Sequence, residues 1–227
     1  MRRFAYSLLF IVASVLAAFC GDVAETNGWQ SLVDGKSLNG WAQRGGKARY
    51  RLEDGVIIGS AVPNTPNSFL CTRRDFTNFV LELEFKVDQG LNSGVQVRSH
   101  CFEQPMEFEW NGRKFKVPAG RVHGLQVEID HSERAWSGGV YEEGVRGWLN
   151  DLKSNQTARK AFKQGEWNRF RIDCNGESIR TQINGVPAAD LKDGRSPAGF
   201  IALQVHGVGK REQTLEVRFR NIRVKEL

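Results

Sequence analysis

Polar and apolar residues alternate along several stretches of this chain, and the alternation is clearest in residues 123–130. Three apolar residues there take turns with three polar ones, in the order Leu125, Gln126, Val127, Glu128, Ile129 and Asp130. A period of two residues is that of a β-strand with one apolar face and one polar face. Because the polar face carries two carboxylates and an amide, this strand is a candidate for the floor of a binding site.

The same alternation predicts strands on both sides of this segment. They cover residues 79–87, 92–99, 170–174, 179–183, 200–206 and 217–224. Turn-forming dipeptides predict one hairpin over residues 50–58, around Asp54-Gly55, and another over residues 108–117, around Asn111-Gly112. We interpret the second hairpin as a flap over the strand at 123–130.

Residues 131–167 form the longest predicted irregular stretch, with a short helix near Gln156–Lys163. At least ten short strands, frequent glycine-containing turns and one brief helix predict an all-β protein. The expected architecture is a two-sheet antiparallel β-sandwich, with the short helix in a long loop. We expect a single domain over residues 28–227, which is long enough to bury a sizeable core.

The first twenty residues have the pattern of a secretory signal. Arg2 and Arg3 form a positive start, an apolar run covers residues 8–19, and small residues lie near its end. The run is too short for a comfortable transmembrane helix. Residues 16–20 resemble a bacterial lipoprotein box, although Phe19 fits it poorly, so lipidation of Cys20 and cleavage without lipid stay open. The sequence predicts an exported protein, periplasmic or extracellular, with the membrane as a partner only through such an anchor.

Composition and charge exclude several classes of function. The 227 residues are 40% hydrophobic and 26% charged, which is typical of globular proteins. The formal net charge is +6, but basic and acidic residues are interspersed, so no nucleic-acid partner is indicated. Beyond Cys20, the cysteines Cys71, Cys101 and Cys174 have no metal-binding spacing. A disulfide is allowed, but small buried hydrophobic residues are the better interpretation.

Polar residues on three predicted strands could meet on one surface. They are Gln96, Arg98, Gln126, Glu128, Asp130, Gln204 and His206. Amide, guanidinium, carboxylate and imidazole groups recognise sugar hydroxyls and transfer protons, whereas a plain solvent face would favour Thr, Ser, Lys and Glu. If the three strands are neighbours, the sequence predicts a sugar-binding groove with proton-transfer groups.

Each of these residues also has a structural interpretation. His206 could simply pack or lie on the surface, and Glu128 and Asp130 could form a structural salt bridge with Arg98. Three aromatic residues of the long loop could anchor a small core or could stack on a sugar ring: Trp136, Tyr141 and Trp148.

Nine short motifs occur in an order that resembles the 3-keto-disaccharide hydrolase family, also described as 3-keto-glucoside 1,2-lyases and 3-keto-2-hydroxyglucal hydratases. The motifs are SLVDGKSLNGW, NFVLELEFKV, NSGVQVRS, GLQVEID, SGGVYEE, GEWNRFRI, INGVPAAD, GFIALQVHG and VRFRNIRVKEL. The resemblance runs from about residue 28 to 227 and implies a concanavalin-type sandwich, or jelly roll. The hairpin at 102–121 and residues 146–152 look like subgroup features, which leaves the substrate open.

The resemblance implies an exported carbohydrate-active enzyme that cleaves 3-keto-glycosides by elimination and hydration. Glu128 and His206 are then the predicted proton-transfer pair, and a divalent metal ion could be held by Glu128, Asp130 and His206. Predicted substrate contacts come from Arg98, Gln126, Asp130, Tyr141, Trp148 and Gln204. The alternatives are a non-catalytic carbohydrate-binding domain on the same sandwich and a scaffolding domain with no sugar affinity.

Overall fold

The computed structural model describes residues 27–227 and contains two large antiparallel sheets. The predicted signal segment 1–20 and Cys20 lie outside the described residues, so export and lipidation stay predictions. The predicted all-β, two-sheet antiparallel sandwich is confirmed. Within residues 27–227, no helix is long and apolar enough to span a membrane.

Seventeen strands and one short helix make up the described chain. The first nine strands are β1 Gln30–Ser31, β2 Trp41–Gly45, β3 Arg49–Glu53, β4 Val56–Ser60, β5 Ser68–Thr72, β6 Phe79–Val87, β7 Ser93–His100, β8 Met106–Trp110 and β9 Arg113–Val117. They are followed by β10 His123–Ile129, β11 Val140–Glu143, β12 Gly147–Asn150, α1 Gln156–Arg159, β13 Asn168–Asn175, β14 Ser178–Ile183, β15 Val186–Lys192, β16 Phe200–Val205 and β17 Glu216–Glu226.

The larger sheet has the order β15-β14-β13-β6-β17-β4-β3, with β1 added along β17. The smaller sheet has the order β12-β11-β10-β7-β16-β5-β2, and β8 and β9 form a separate hairpin. Chain neighbours often lie far apart in these sheets, because strands that follow one another in sequence cross between the two layers. The strand predicted to organise the site, β10, lies within the smaller sheet beside β7.

The core lies between the inward faces of the two sheets. Leu81, Leu83 and Phe85 of β6 are at most 1% exposed and belong to one apolar cluster with residues of β7, β10 and β16. The alternation seen in the sequence therefore marks which residues pack inward. The outward faces of the two sheets are consequently free to carry different chemistry.

The outward face of the larger sheet is covered by ion pairs. Glu82 accepts contacts from the guanidinium groups of Arg169, Arg171 and Arg223, each within 3.0 Å. Glu84 pairs with Arg220 at 2.6 Å. Because each carboxylate is paired with guanidinium groups, this face has the character of a structural surface.

The stretch at 131–167 is less irregular than the sequence suggests. It contains β11 and β12, and the helix α1 is shorter than predicted, with the side chain of Asn155 capping its first turn by accepting from Ala158 N at 3.1 Å. The four-residue strands lack the long alternation that the sequence pattern needs. β11 pairs with β10 and β12 pairs with β11, and tertiary contacts set both pairings.

The hairpin β8–β9 is confirmed, but it does not cover the polar face of β10. The ring centre of Phe108 lies 4.3 Å from the guanidinium carbon of Arg195, and that of Trp110 lies 5.3 Å from the guanidinium carbon of Arg146. Both arginines bind Glu142, which points to the core side of β11. The flap interpretation is therefore wrong.

Within the described residues the cysteines are unpaired. Cys71 and Cys174 are buried and Cys101 is partly buried. Cys71 packs with apolar residues such as Phe69 and Phe200, and Cys174 belongs to the main core. The interpretation of Cys71 and Cys174 as small buried hydrophobic residues is confirmed.

Candidate functional site

The three strands that carry the predicted polar residues are neighbours in the smaller sheet, in the order β10-β7-β16. Gln126 of β10 stands opposite Gln96 of β7, and Glu128 stands opposite Gly94. Gln204 of β16 also stands opposite Gly94, from the other side. The prediction that these polar faces form one surface is therefore confirmed for Gln96, Gln126, Glu128 and Gln204.

A cavity of about 480 Å³ lies over this surface. Its lining residues are Asn67, Asn92, Gln126, Glu128, Arg134, Tyr141, Glu143, Trp148 and His206. Glu128 and His206, predicted from separate strands, thus border the same space. A concave, polar pocket with a few convergent charged groups is what a small polar ligand requires.

Gly94 gives the floor of this cavity its shape. A Cβ atom at this position would lie 2.5 Å from Cδ of Gln126, far closer than atoms can approach. The side chain of Gln126 lies over Gly94, in space that any larger residue at position 94 would occupy. The missing side chain therefore lets Gln126 reach Glu128.

A directional chain of hydrogen bonds ends at the carboxylate of Glu128. The Ser99 hydroxyl donates to Gln96 Oε1 at 2.7 Å, and Gln96 Nε2 donates to Gln126 Oε1 at 2.6 Å. Gln126 Nε2 then donates to Glu128 Oε2 at 2.8 Å, while Asn92 Nδ2 donates to Glu128 Oε1 at 2.7 Å. Because every donor points towards the carboxylate, the chain fixes its orientation under the cavity.

Burial raises the pKa of Glu128 to about 7 from its ordinary value of 4.5, and the nearby Asp130 carboxylate adds to the rise. The hydrogen bonds from Asn92 and Gln126 and the charge of Arg134 lower the pKa without offsetting the burial. Glu128 is only 5% exposed, yet it borders the cavity. A carboxyl group with a pKa near neutrality can both accept and donate a proton at physiological pH.

The raised pKa of Glu128 predicts a change in stability with pH. Between pH 4.5 and about 7 the folded protein keeps a proton on Glu128 that the unfolded chain has lost, so stability falls as pH rises through this window. The full effect is about 3 kcal/mol, from 1.36 kcal/mol for each pKa unit. We expect the Glu128→Gln variant to lose this part of the pH dependence.

Urea unfolding of wild type and Glu128→Gln at pH 5 and pH 8 measures this effect. Wild type should lose more unfolding free energy than the variant between the two pH values. Equal losses in the two proteins would show that the pKa of Glu128 is not raised by folding.

Arg134 is the cation of the cavity, and Asp130 holds it in place. Arg134 Nε donates to Asp130 Oδ2 at 2.8 Å, and its Nη2 lies 3.8 Å from Glu128 Oε1. The guanidinium also lies 4.8 Å from the ring centre of Trp136 and 5.1 Å from that of Trp148. An ion pair and two aromatic rings therefore orient its remaining N–H groups.

Asp130 lies below the cavity surface and is 2% exposed. Burial raises the pKa of Asp130, but hydrogen bonds from Ser132, Arg134 and Trp136 more than offset this, so the net shift is downward. An ionised Asp130 is consistent with its ion pair to Arg134. The structure gives it the position of a support for Arg134, where the sequence predicts direct substrate contact.

His206 lies on the rim, one residue beyond β16, and its side chain is exposed. Its Nδ1 lies 2.8 Å from the carbonyl oxygen of Gly207. The tautomer in which Nδ1–H donates to this oxygen leaves Nε2 free as a proton acceptor. An exposed imidazole at the rim can therefore exchange protons with both ligand and solvent.

The aromatic residues of the long loop divide between the two proposed roles. Trp136 is 8% exposed and packs with Leu152 and Ala158 in a small apolar cluster, so it anchors the loop. Tyr141 and Trp148 line the cavity and meet edge to face, with ring centres 5.3 Å apart. Burial and the neighbouring carboxylates of Glu143 and Glu128 raise the pKa of Tyr141, so its hydroxyl stays protonated near neutral pH.

Glu143 is a cavity residue that the sequence analysis missed. Its carboxylate pairs with Arg121 at 3.1 Å, and Gln204 Nε2 lies 3.5 Å from its other oxygen. Gln204 is fully buried and, among the described residues, its Oε1 has no hydrogen-bond partner. Gln204 therefore supports Glu143 from below the surface, where the sequence predicts direct substrate contact. The spacing Tyr141–Glu143 was the available signal, because residues two apart share a strand face.

Arg98 does not belong to the site. Its side chain is fully buried and donates to the carbonyl oxygens of Thr77 and Gly176 and to Asn78 Oδ1. A backbone φ of 47° at this residue breaks the alternation of β7 and turns the side chain away. The predictions that Arg98 contacts substrate, or pairs with Glu128 and Asp130, are wrong.

The donor groups do not fit the predicted metal site. Among residues 27–227, no three His, Cys, Asp or Glu side chains are arranged to hold a metal ion. The oxygens of Glu128 accept from two amides, those of Asp130 accept from backbone N–H groups and Arg134, and the Arg134 guanidinium stands where a cation would be. Glu128, Asp130 and His206 are therefore not a three-ligand set. The need for a divalent ion stays a prediction.

The family model described as the 3-keto-alpha-glucoside-1,2-lyase-like domain matches residues 28–225. A protein of Bacteroides thetaiotaomicron named 3-keto-disaccharide hydrolase is 33% identical over 79 residues, which cover 31% of this chain and 27% of the relative. The chain thus aligns with about a quarter of that relative's length.

Solved structures agree on the fold. Two crystal structures of proteins from Parabacteroides distasonis ATCC 8503, both provisionally described as glycosyl hydrolases, match with TM-scores of 0.56 and 0.54 at 19% and 25% identity. Both alignments cover 88% of this chain, with 94% of the first protein and 100% of the second. A Bacillus subtilis protein with a galectin-like fold matches with a TM-score of 0.59 at 13% identity, over 87% of this chain and 94% of that one. The neighbours support the jelly-roll prediction.

Proposed function

Because this chain belongs to the 3-keto-alpha-glucoside-1,2-lyase-like domain family, we propose that it cleaves the glycosidic bond of 3-keto-glycosides by elimination followed by addition of water. The family and the named relative make it a carbohydrate-active, hydrolase-like domain. One observation supports the finer proposal above all. The buried carboxyl of Glu128, with a pKa of about 7, faces a cavity that also holds a guanidinium and an imidazole.

The ketone at C3 determines the chemistry, because it acidifies the hydrogen on C2. Glu128 takes this proton, and the C2–H electrons become the electrons of an enolate at the C3 oxygen. The enolate then re-forms the ketone, a C1–C2 double bond forms, and the C1–O bond breaks with its electron pair on the leaving oxygen. Water finally adds its proton to C2 and its hydroxyl to C1, so the net reaction is hydrolysis.

Glu128 has the properties that the first step needs. It is ionised in about half of the molecules at pH 7, it is desolvated, and its orientation is fixed by Asn92 and Gln126. A general base acts best when its pKa lies near the working pH. The proton that Glu128 gains exchanges with solvent before water adds, and the same carboxyl then protonates C2, so one group serves both halves of the reaction.

Arg134 supplies the positive charge for the enolate oxygen. Its guanidinium is oriented by Asp130 and lies 3.8 Å from the nearest oxygen of Glu128. A preorganised cation next to the base stabilises negative charge that develops during proton removal. This role needs no reorganisation, because the two tryptophan rings already hold the group.

His206 is the proposed donor to the leaving oxygen, in the form in which Nε2 has also accepted a proton. It is exposed at the rim, where water can partly replace it, so His206→Ala should lower kcat by about 10- to 100-fold. The matched control is His131→Ala, since His131 does not line the cavity. Steady-state assays that find His206→Ala within twofold of wild type would remove His206 from proton transfer.

A panel of 3-keto-glucosides tests the proposed function. Wild-type protein should release the aglycone and a 3-keto-sugar, and it should leave the unoxidised glucosides intact because their C2 hydrogen is not acidified. Binding of unoxidised glycans with no release from any keto substrate would favour the carbohydrate-binding alternative. The absence of both binding and release would favour a scaffolding domain.

A further inference from the structure

A second cavity lies beside the Glu128 cavity and meets it at two side chains. Its volume is about 510 Å³, and it shares Asn67 and Glu143 with the first. A molecule that occupies the first cavity can therefore extend past these residues into the second. Two adjoining cavities of this kind could hold the two groups that a cleaved bond joins, one in each cavity.

The two cavities differ in chemistry. The walls of the second are mostly carbon, from Pro66, Phe69, Pro118, Ala119 and Val122. Arg121 lines it too, but its guanidinium is paired with Glu143 at 3.1 Å at the shared boundary. A second sugar ring would bring several hydroxyl groups, and this wall offers few unpaired partners for them.

The apolar wall is built on rigid parts of the fold. Phe69 and Val122 are 3% and 2% exposed and belong to one small core with Cys71, Phe200 and Ala202. Residues 118–122, which also line this cavity, directly follow β9 of the hairpin. The hairpin therefore shapes the second cavity, although it does not cover the first.

We propose that the second cavity is the leaving-group subsite and that it takes an apolar aglycone, aryl or alkyl, in preference to a second sugar. This inference rests on the proposed cleavage of a 3-keto-glycoside, because it needs the keto-sugar ring in the Glu128 cavity. Burial of the aglycone against the five apolar side chains removes carbon surface from water, which stabilises the complex. The substrate class is then an aryl or alkyl 3-keto-glucoside.

The variant Ala119→Trp tests the subsite by filling it. Ala119 is exposed, so the larger side chain can be accommodated without unfolding the core, and thermal unfolding checks this. The readout is kcat/KM for 4-nitrophenyl 3-keto-glucoside divided by kcat/KM for the methyl glycoside of the same anomeric form. This ratio should fall about tenfold, equivalent to about 1.4 kcal/mol. The control Lys192→Trp, on an exposed position of the opposite sheet, should leave the ratio at its wild-type value.

An equilibrium titration separates this inference from the proposed function. Free 4-nitrophenol should bind saturably to wild type and to Lys192→Trp, and binding should be lost in Ala119→Trp. If no 3-keto-glucoside is cleaved, the proposed function fails and the titration alone decides whether the cavity is an apolar ligand site. An unchanged kcat/KM ratio in Ala119→Trp, or equal phenol binding by all three proteins, would overturn the subsite.

Discussion

Glu128→Gln should lower kcat for cleavage of a 3-keto-glucoside at least ~100-fold, the scale expected for a group that transfers the proton in the rate-determining step. The amide is close in shape to the carboxylate but cannot accept the C2 proton. Its NH₂ group also conflicts with a hydrogen-bond chain in which Gln126 and Asn92 both donate to this position. Steady-state kinetics across a pH series measures the effect.

The pH series adds a second readout for Glu128. In wild type, kcat/KM should rise with pH through about 7, because the base is active only when ionised. The exposed Glu109→Gln variant on the hairpin is the matched control and should keep both rate and profile. A Glu128→Gln enzyme with full activity would remove Glu128 from proton transfer altogether.

Arg134→Ala should lower kcat by about 100-fold, because loss of one preorganised group that stabilises a developing oxyanion costs on this order. KM should change less, since the charge that Arg134 stabilises is greatest in the transition state. The matched control is Arg180→Ala, an exposed arginine on the opposite sheet. Added guanidinium ion should restore part of the lost rate in Arg134→Ala and none in Glu128→Gln.

Asp130→Asn separates support from direct action. Asp130 orients Arg134 through a 2.8 Å contact from below the surface, so its loss should give a smaller reduction than Arg134→Ala. Combining the two substitutions should cost no more than Arg134→Ala alone, because both remove the same interaction. An Arg134→Ala variant within threefold of wild type would show that another group stabilises the enolate.

Much of the fold and the centre of the site could be predicted from alternation alone. In β10, β7 and β16 the apolar residues face inward, as Val127, Val95 and Leu203 do. The polar residues between them therefore lie together on the outward surface. The alternation therefore identified Gln126 and Glu128 as one group before any pairing was known. It works because burial of one face constrains every second residue.

The residue that was wrongly predicted and the two that were missed lie where this rule breaks. At Arg98 the backbone takes a positive φ, which reverses the expected face, and an arginine gives no sign of such a turn. Arg134 lies in a connection and Glu143 on a four-residue strand, both in a stretch read as irregular. The position of Arg134 depends on the loop geometry that brings it to Asp130, and the position of Glu143 depends on its contact with Arg121, which is distant in sequence. Alternation encodes neither of these.

Deuterium incorporation at C2 is the most direct test of proton removal by Glu128. The protein is allowed to cleave a 3-keto-glucoside in D₂O, and the sugar released in the first turnovers is diluted into H₂O, to wash out hydroxyl deuterium, and weighed by mass spectrometry. We expect one carbon-bound deuterium in the sugar released by wild type. As a control, the released 3-keto-sugar is incubated in D₂O with Glu128→Gln and no glycoside to cleave, and it should stay unlabelled. Cleavage by wild type that leaves C2 free of deuterium would show that the C–O bond breaks without elimination and would contradict the proposed role of Glu128.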